Sequence, residues 1–306
     1  MYLSPLEGTD NLTFFMLGDW GGQETFPYTS EVAATTADRM ADLAMKLKPQ
    51  FIVSLGDNFY DDGVVDVEDK RFQRTYEKVY DDPALNIPWY IIAGNHDWRG
   101  NVSAQIEYSK RSHRWNFPFY FYPLSFTIPG TNDTVDILMI DTNILCLKEE
   151  TQNMENVEGI DHQWEWLETN LKNSKAKYLL TIGHMPVYSV GWHGSSSCLI
   201  ERFLPLLEKY NVNAHIAGHD HSFQARTNDM NLDLIVCGMG SAIDNTLDNS
   251  NTVPEGLLKF HWGDEDTNGG FCVANVTADG MTISFIQTDT EEPLYETNIY
   301  PRRVPP

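Results

Sequence analysis

The sequence predicts an α/β fold in one domain, and three observations carry the prediction. Short apolar runs, β-branched or aromatic, recur along the chain and end in glycine or a polar cluster. Amphipathic segments at helical spacing lie between the early runs. The late runs, from Leu232 to Thr288, follow one another without such segments. Strands alternating with helices imply a sheet buried between helical layers. The uninterrupted late strands imply a second, more antiparallel sheet.

The elements follow in order. "LTFFMLGDWGG", from Leu12, is a strand closed by glycines. In "SEVAATTADRMADLAMKLK" the residues Val32, Ala33, Met40, Leu43, Ala44 and Leu47 recur at helical spacing. "FIVSLGDNFY" is the next strand, and "DKRFQRTYEKVY" sets Phe72, Tyr76 and Val79 on one helical face. "WYIIAGNHDW", "VDILMIDTN", "YLLTIGHMPV" and "NAHIAGHDHSF" are strands in turn, with helices in "DHQWEWLETNLKN" before the third and "CLIERFLPLLEKY" before the fourth. "DLIVCGMGSA", "GGFCVANVT" and "MTISFIQT" complete the series. No repeat, low-complexity tract or linker divides the chain. Residues 1–306 therefore read as a single domain, with residues 1–11 an N-terminal extension.

Composition narrows the function. Hydrophobic residues make up 42% of 306, enough for a large core. No run approaches the roughly 18 apolar residues of a membrane span. Asp and Glu number 44 against 21 Lys and Arg, a net charge of -23. Such a surface repels nucleic acid and anionic membranes. The four cysteines form no CxxC pair, which argues against a zinc ribbon. Cys237 and Cys272 sit inside apolar strands and read as buried free thiols. Cys146 and Cys198 flank polar stretches and could pair. Sequons at Asn11, Asn101, Asn132 and Asn275 lean toward secretion. "MYLSPLEGTDN" has no apolar signal region, so the chain either follows a removed signal or belongs to an intracellular protein.

In open α/β sheets, ligands gather beyond the carboxyl ends of strands. There the chain offers Asp19, then Asp57 with Tyr60, then Asn95 with His96, then His184, then His219 with His221. All four residue types can donate oxygen or nitrogen to a metal. Glycine precedes Asp19, Asp57, Asn95, His184 and His219, and glycine permits close backbone approach or a turn with positive φ. Singly, each signal is bland. Asp57 could cap a helix, His184 could be a satisfied core histidine, and Tyr60 could be a packed aromatic. Together, in this order, they indicate a metal centre.

The set "GDWG", "GDNFY", "GNHD", "GHMP" and "GHDH" resembles the motif series of the metallophosphoesterases. More narrowly, it is similar to the purple acid phosphatases of the small mammalian, tartrate-resistant type. "DKRFQ", "PWY", "GNVSAQIEYSKRSHRWNFP" and "GGF" extend the likeness from about Phe14 to the C-terminus. The resemblance implies two mixed β-sheets packed as a sandwich with helices on both outer faces. It implies that Asp19, Tyr60 and His221 bind Fe(III), that Asn95, His184 and His219 bind Fe(II), Zn(II) or Mn(II), and that Asp57 bridges the two. By the same resemblance His96 is an acid beside the phosphate or leaving group, and His193 in "GWHGSSSC" is a second substrate-pocket histidine. Cys146 and Cys198 match the family's disulfide and Asn101 a family glycosylation site. The implied protein is a secreted or lysosomal monomer. It hydrolyses small phosphomonoesters or phosphoproteins by attack of a metal-bound hydroxide.

The donor types fit that division. A trivalent ion prefers anionic oxygen, which two carboxylates and a phenolate supply, whereas Asn and two His suit a softer divalent ion. Two metals about 3.5–4 Å apart can hold hydroxide and phosphate oxygens together. Ordinary metallophosphoesterases begin with Asp-x-His, but here Gly21 stands where that histidine would be. Tyr60 can fill the vacancy with an anionic oxygen. One segment departs from the family. "LKEETQNMENVEG" is shorter and more acidic than the protease-sensitive loop of the mammalian type, so it reads as a solvated loop rather than a cleavage switch.

Overall fold

The computed structural model describes residues 2–3, 11–146, 160–228 and 231–302. The strands begin with β1 (Tyr2–Leu3), β2 (Leu12–Leu17), β3 (Phe51–Ser54), β4 (Trp89–Tyr90), β5 (Trp115–Asn116), β6 (Tyr122–Thr127), β7 (Thr134–Met139) and β8 (Tyr178–Ile182). They continue with β9 (Ala214–Ala217), β10 (Phe223–Thr227), β11 (Asp233–Cys237), β12 (Leu258–Trp262), β13 (Gly270–Val276), β14 (Met281–Gln287) and β15 (Tyr295–Ile299). One sheet has the order β15-β14-β13-β2-β3-β4-β5 and the other β1-β6-β7-β8-β9-β11-β10-β12. Both are mixed. Strands β2 to β5 run parallel, as do β7, β8, β9 and β11. Antiparallel strands flank each parallel block.

The late strands do not form a sheet of their own. β11 and β12 join the sheet of β9, while β13 to β15 extend the sheet of β2. The choice is made by long-range register, Val273 opposite Phe15, which local pattern does not report. The two sheets share one core. Phe51 of β3 stacks on Phe126 of β6 across the sandwich, ring centroids 4.1 Å apart. A smaller cluster (Leu138, Trp164, Leu167, Leu179, Phe203 and Leu207 among it) lies under the helices Ile160–Asn173 and Leu204–Lys209.

Helix α1 (Glu31–Leu47) is capped by Ser30, whose Oγ accepts from Ala33 N, a contact worth about 1 kcal/mol. Its buried stripe is Ala33, Thr36, Ala37, Met40, Ala41 and Ala44. Small residues let it lie close to the sheet, and Leu47 falls off that face. "DKRFQRTYEKVY" forms a π-helical turn, Phe72–Glu77, rather than an α-helix, and Leu199–Phe203 is a second such turn leading into the helix Leu204–Lys209. Phe72 and Tyr76 are buried as the spacing requires.

The first π turn contributes Tyr76 to an aromatic cluster. The fully buried Trp20 lies among Tyr76, Tyr80, Trp89 and Phe59, with centroids 5.6–6.1 Å away. Its indole N–H donates to Ser54 Oγ at 2.8 Å. Aromatic pairs of this kind add about 0.5–1.5 kcal/mol each beyond area burial. They fix the loop that carries Asp19 against the loop that carries Asp57.

Cys146 and Cys198 form a disulfide with Cα atoms 5.7 Å apart. Cys237 and Cys272, which the sequence presents as free thiols, are also paired, Cα atoms 6.3 Å apart. Their setting is apolar as expected, but β11 and β13 face each other across the sandwich and bring the two sulfurs within bridging range. The acidic segment expected to be a loop after Cys146 lies outside the described residues.

Candidate metal centre

The carboxyl ends of β2, β3 and β4 in one sheet meet those of β8 and β9 in the other. Backbone bonds fix these strand ends, and the first of them joins the two sheets. Gly18 N donates to Cys237 O at 3.1 Å, Asp19 N to Gly56 O at 3.1 Å and Gly218 N to His184 O at 3.0 Å. His184 Nδ1 lies 2.9 Å from Leu55 O, tying one sheet to the other through the side chain.

Three side chains form one face of the site. Tyr60 Oη donates to Asp19 Oδ1 at 3.0 Å and lies 3.0 Å from His221 Nε2, with His221 Nε2 3.6 Å from Asp19 Oδ1. A second group lies alongside. His184 Nε2 is 3.0 Å from Asn95 Oδ1 and 3.2 Å from His219 Nδ1. Asp57 stands between them, its Oδ2 3.4 Å from His184 Nε2. Ligand atoms of Asp19, Asp57 and His184 all fall within 4.8 Å of one another. Spacings of roughly 3–3.6 Å are what donors about 2.0–2.2 Å from a shared ion adopt. The donor set therefore fits two ions with a shared carboxylate.

The electrostatics ask for cations. Burial, then the neighbouring Asp57 charge, pushes the Asp19 carboxyl well above the usual range against the pull of His184. Burial and the Asp19 and Asp57 charges push the Tyr60 phenol up strongly. It ionises in this setting only against a nearby positive ion. Burial favours a neutral His184 ring, yet the Asp57 carboxylate overrides it and raises His184 to about 10. Without a metal, a proton on His184 neutralises part of the cluster. A metal ion held by His184 would take the place of that proton.

The glycines act mainly through space. Only Gly56, with φ 92°, has a positive φ among the five that precede these residues. Instead Asp19, Asp57 and His219 themselves adopt φ of 58°, 52° and 73°. Each such residue costs about 1 kcal/mol or more, a strain characteristic of functional sites. A Cβ on Gly94 would overlap the Asp57 carboxylate, and one on Gly218 would overlap Asp19 Oδ2.

His96 donates its backbone N–H to Asp57 Oδ1 at 2.9 Å. Its Nδ1 lies 2.6 Å from Asp61 O and 3.1 Å from Arg99 Nη1, and its Nε2 lies 4.0 Å from Asp57 Oδ2. The His193 ring stacks on His219 with centroids 4.1 Å apart and is exposed. Asn101 is exposed and caps the helix Val102–Tyr108 through Oδ1, which accepts from Ala104 N.

Sequence reading misses the residues that hold this arrangement. Fully buried Asp97 accepts from Asn58 N at 3.1 Å, Gly94 N at 2.8 Å and Gln105 Nε2 at 2.8 Å. It thereby clamps the Asp57 turn to the Asn95 turn. Its only signal is its place in "GNHD". Asp220 Oδ1 accepts from His193 N at 2.9 Å, and nothing in "GHDH" singles it out.

Comparison with known proteins agrees with the fold. The calcineurin-like phosphoesterase family profile matches residues 12–223. Tartrate-resistant acid phosphatase type 5 of Oryctolagus cuniculus is 41% identical over 302 residues, covering 96% of this chain and 92% of that protein. The Mus musculus protein of the same name is 42% identical over 305 residues, covering 97% and 93%. Among solved structures, GAP50, the anchor in the inner membrane complex of Plasmodium, superposes with a TM-score of 0.82 at 26% identity, covering 97% of this chain and 90% of that one.

Proposed function

We infer the function of this chain from its family: it belongs to the calcineurin-like phosphoesterases and, within them, to the tartrate-resistant purple acid phosphatases. It is an acid phosphatase that hydrolyses phosphate monoesters at a binuclear metal centre. The fold alone does not carry this, since GAP50 is named as an anchor. The observation that carries it is the meeting of two donor triads around one buried carboxylate, Asp57.

We assign Asp19, Tyr60 and His221 to Fe(III), Asn95, His184 and His219 to Fe(II), Zn(II) or Mn(II), and Asp57 to both. Two such ions supply positive charge for the phosphoryl oxygens and a nucleophile in acid. The chain's own part is positional. Asp97 holds the Asp57 and Asn95 turns in register. Asp61 O and Arg99 hold the His96 ring through Nδ1, so that Nε2 is the ring nitrogen placed to assist the leaving group when protonated. His193, anchored by Asp220, lines the substrate side.

The substrates we assign are small phosphomonoesters or phosphoproteins, acted on by a single-domain monomer. Residues of both sheets in one core support the single domain. Two disulfides support an oxidising compartment, secreted or lysosomal, with Asn101 exposed for glycosylation. No helix among the described residues is long and apolar enough to cross a membrane. The test is phosphate release from a simple monoester at acid pH by the purified protein, with metal analysis. Activity with about two metals per chain, iron among them, is expected. A protein that binds iron but does not turn over, or turns over with no iron, would contradict the assignment.

A further inference from the structure

Asp19 and His221, assigned to one ion, belong to different sheets. Asp19 follows β2 in one, and His221 lies between β9 and β10 of the other. Their spacing depends on how the sheets are held together at that point. The chain between them there is "CGMGS", residues 237–241, which begins at the last residue of β11. Gly18 N donates to Cys237 O at 3.1 Å, Gly240 N to Gly18 O at 3.0 Å and Ser241 Oγ to Asp19 O at 2.6 Å. On the other flank, Gly238 N donates to Ser222 O at 3.3 Å, one residue past His221. A Cβ on Gly238 would overlap Asp220 O and come within 2.8 Å of Asp19 Oδ2. The segment is therefore wedged between the Asp19 turn and the His219–His221 turn with no spare room.

Cys237 opens this segment, and its disulfide crosses to Cys272 of β13. β13 is the hydrogen-bonded neighbour of β2, with Cys272 opposite Met16. The connections close a ring. The ladder joins β2 to β13, the disulfide joins β13 to the segment, and the segment bonds back to Gly18 and Asp19. The other disulfide does not join the sheets, since Cys146 follows β7 and Cys198 follows β8, two neighbours in one sheet. Asp19, Cys237 and Cys272 are all fully buried. Asp19 also sits at φ 58°, a conformation that persists only where its surroundings over-determine it.

Resting on the metal-centre reading above, we propose that the Cys237–Cys272 disulfide is a positioning element of that centre. It fixes the spacing of Asp19 and His221, acting through the backbone of residues 237–241, and so raises affinity for the ion they hold. Donors locked at their working distance bind an ion with little rearrangement.

The test pairs Cys237→Ala with Cys272→Ala, which leaves no lone thiol, and measures iron affinity by competition with a chelator. Iron should bind about tenfold more weakly, the low end of the range for groups that support metal ligands. Ile283→Ala truncates a fully buried core residue on β14 and supplies the control, a comparable loss of melting temperature with iron affinity near that of the parent. Equal weakening in Ile283→Ala, or none in the double variant, would overturn the proposal. Cys237→Ala with Cys272→Val refills the space beneath the segment and should behave as the double alanine variant does. In the parent, alkylation of the unfolded, unreduced chain should find no free thiol, and two free thiols would also overturn it. A parent that binds no iron would count against the metal-centre reading instead. Amide exchange at residues 18–20 would then still decide the role of the bridge. It should rise in the double variant and not in Ile283→Ala, and unchanged exchange in the double variant would overturn the proposal.

Discussion

His184 and His215 are both fully buried, and they lie on neighbouring strands or just beyond them. His215 lies opposite Thr181, whose Oγ1 is 3.1 Å from Nδ1, while Nε2 faces Met185 O at 3.2 Å. Each ring nitrogen has a complementary partner, so the ring is neutral and burial lowers it to about 4. His184 meets Leu55 O on one side and, on the other, a cluster of Asn95, His219 and Asp57. There the Asp57 charge overrides burial and raises it to about 10. Burial of a histidine therefore says little. What separates a structural histidine from a metal-site histidine is whether its partners complete it or join it in demanding a cation.

The largest effect should come from removing the group that makes His184 different. Asp57→Ala should lose both metals and more than about 100-fold in activity, beyond the range of outer-shell changes. Metal analysis and phosphate release should fall together. Retention of either would separate the metal site from the chemistry. Asp97→Asn should be milder, at about 10–100-fold in activity or metal affinity, because its amide N–H₂ faces either the Asn58 and Gln105 donors at Oδ1 or the Asn58 and Gly94 donors at Oδ2. Thermal stability near that of the parent with reduced metal content would mark it as a positioning residue.

His215 supplies the small, opposite control. Its folded value of about 4 lies below the ordinary 6.5, so the unfolded chain binds the extra proton. Its contribution to stability is complete above about pH 6.5 and is lost as pH falls through 4. The loss amounts to about 3 kcal/mol. His215→Gln should flatten the pH dependence of the urea midpoint over that window while leaving metal content unchanged. An equally steep profile in the variant would show that His215 is not the neutral ring described.

Much of the site is legible in the sequence for a simple reason. Each candidate donor follows a strand closely, and parallel strands that share a sheet end on the same side. Asp19 and Asp57 need only β2 and β3 to be parallel neighbours. What stays hidden depends on contacts far apart in the chain. "GGFCVANVT" does not say that it pairs with β2, so local pattern leaves the second cysteine pair as free thiols. Asp97 acts on Asn58, 39 residues away, and Gln224 acts on Val190, so neither bears a local mark. The glycine series is visible, but its purpose is room for Asp57 and Asp19 rather than a turn at each position.

At the centre stands the claim that a phenolate from Tyr60 takes the place of the histidine that Gly21 cannot provide, and so commits the first site to Fe(III). The direct measurement is the visible spectrum and iron content of the purified protein beside Tyr60→Phe. A purple charge-transfer band is expected in the parent and none in Tyr60→Phe, with iron content reduced. A purple band of unchanged position and intensity in Tyr60→Phe would contradict the claim.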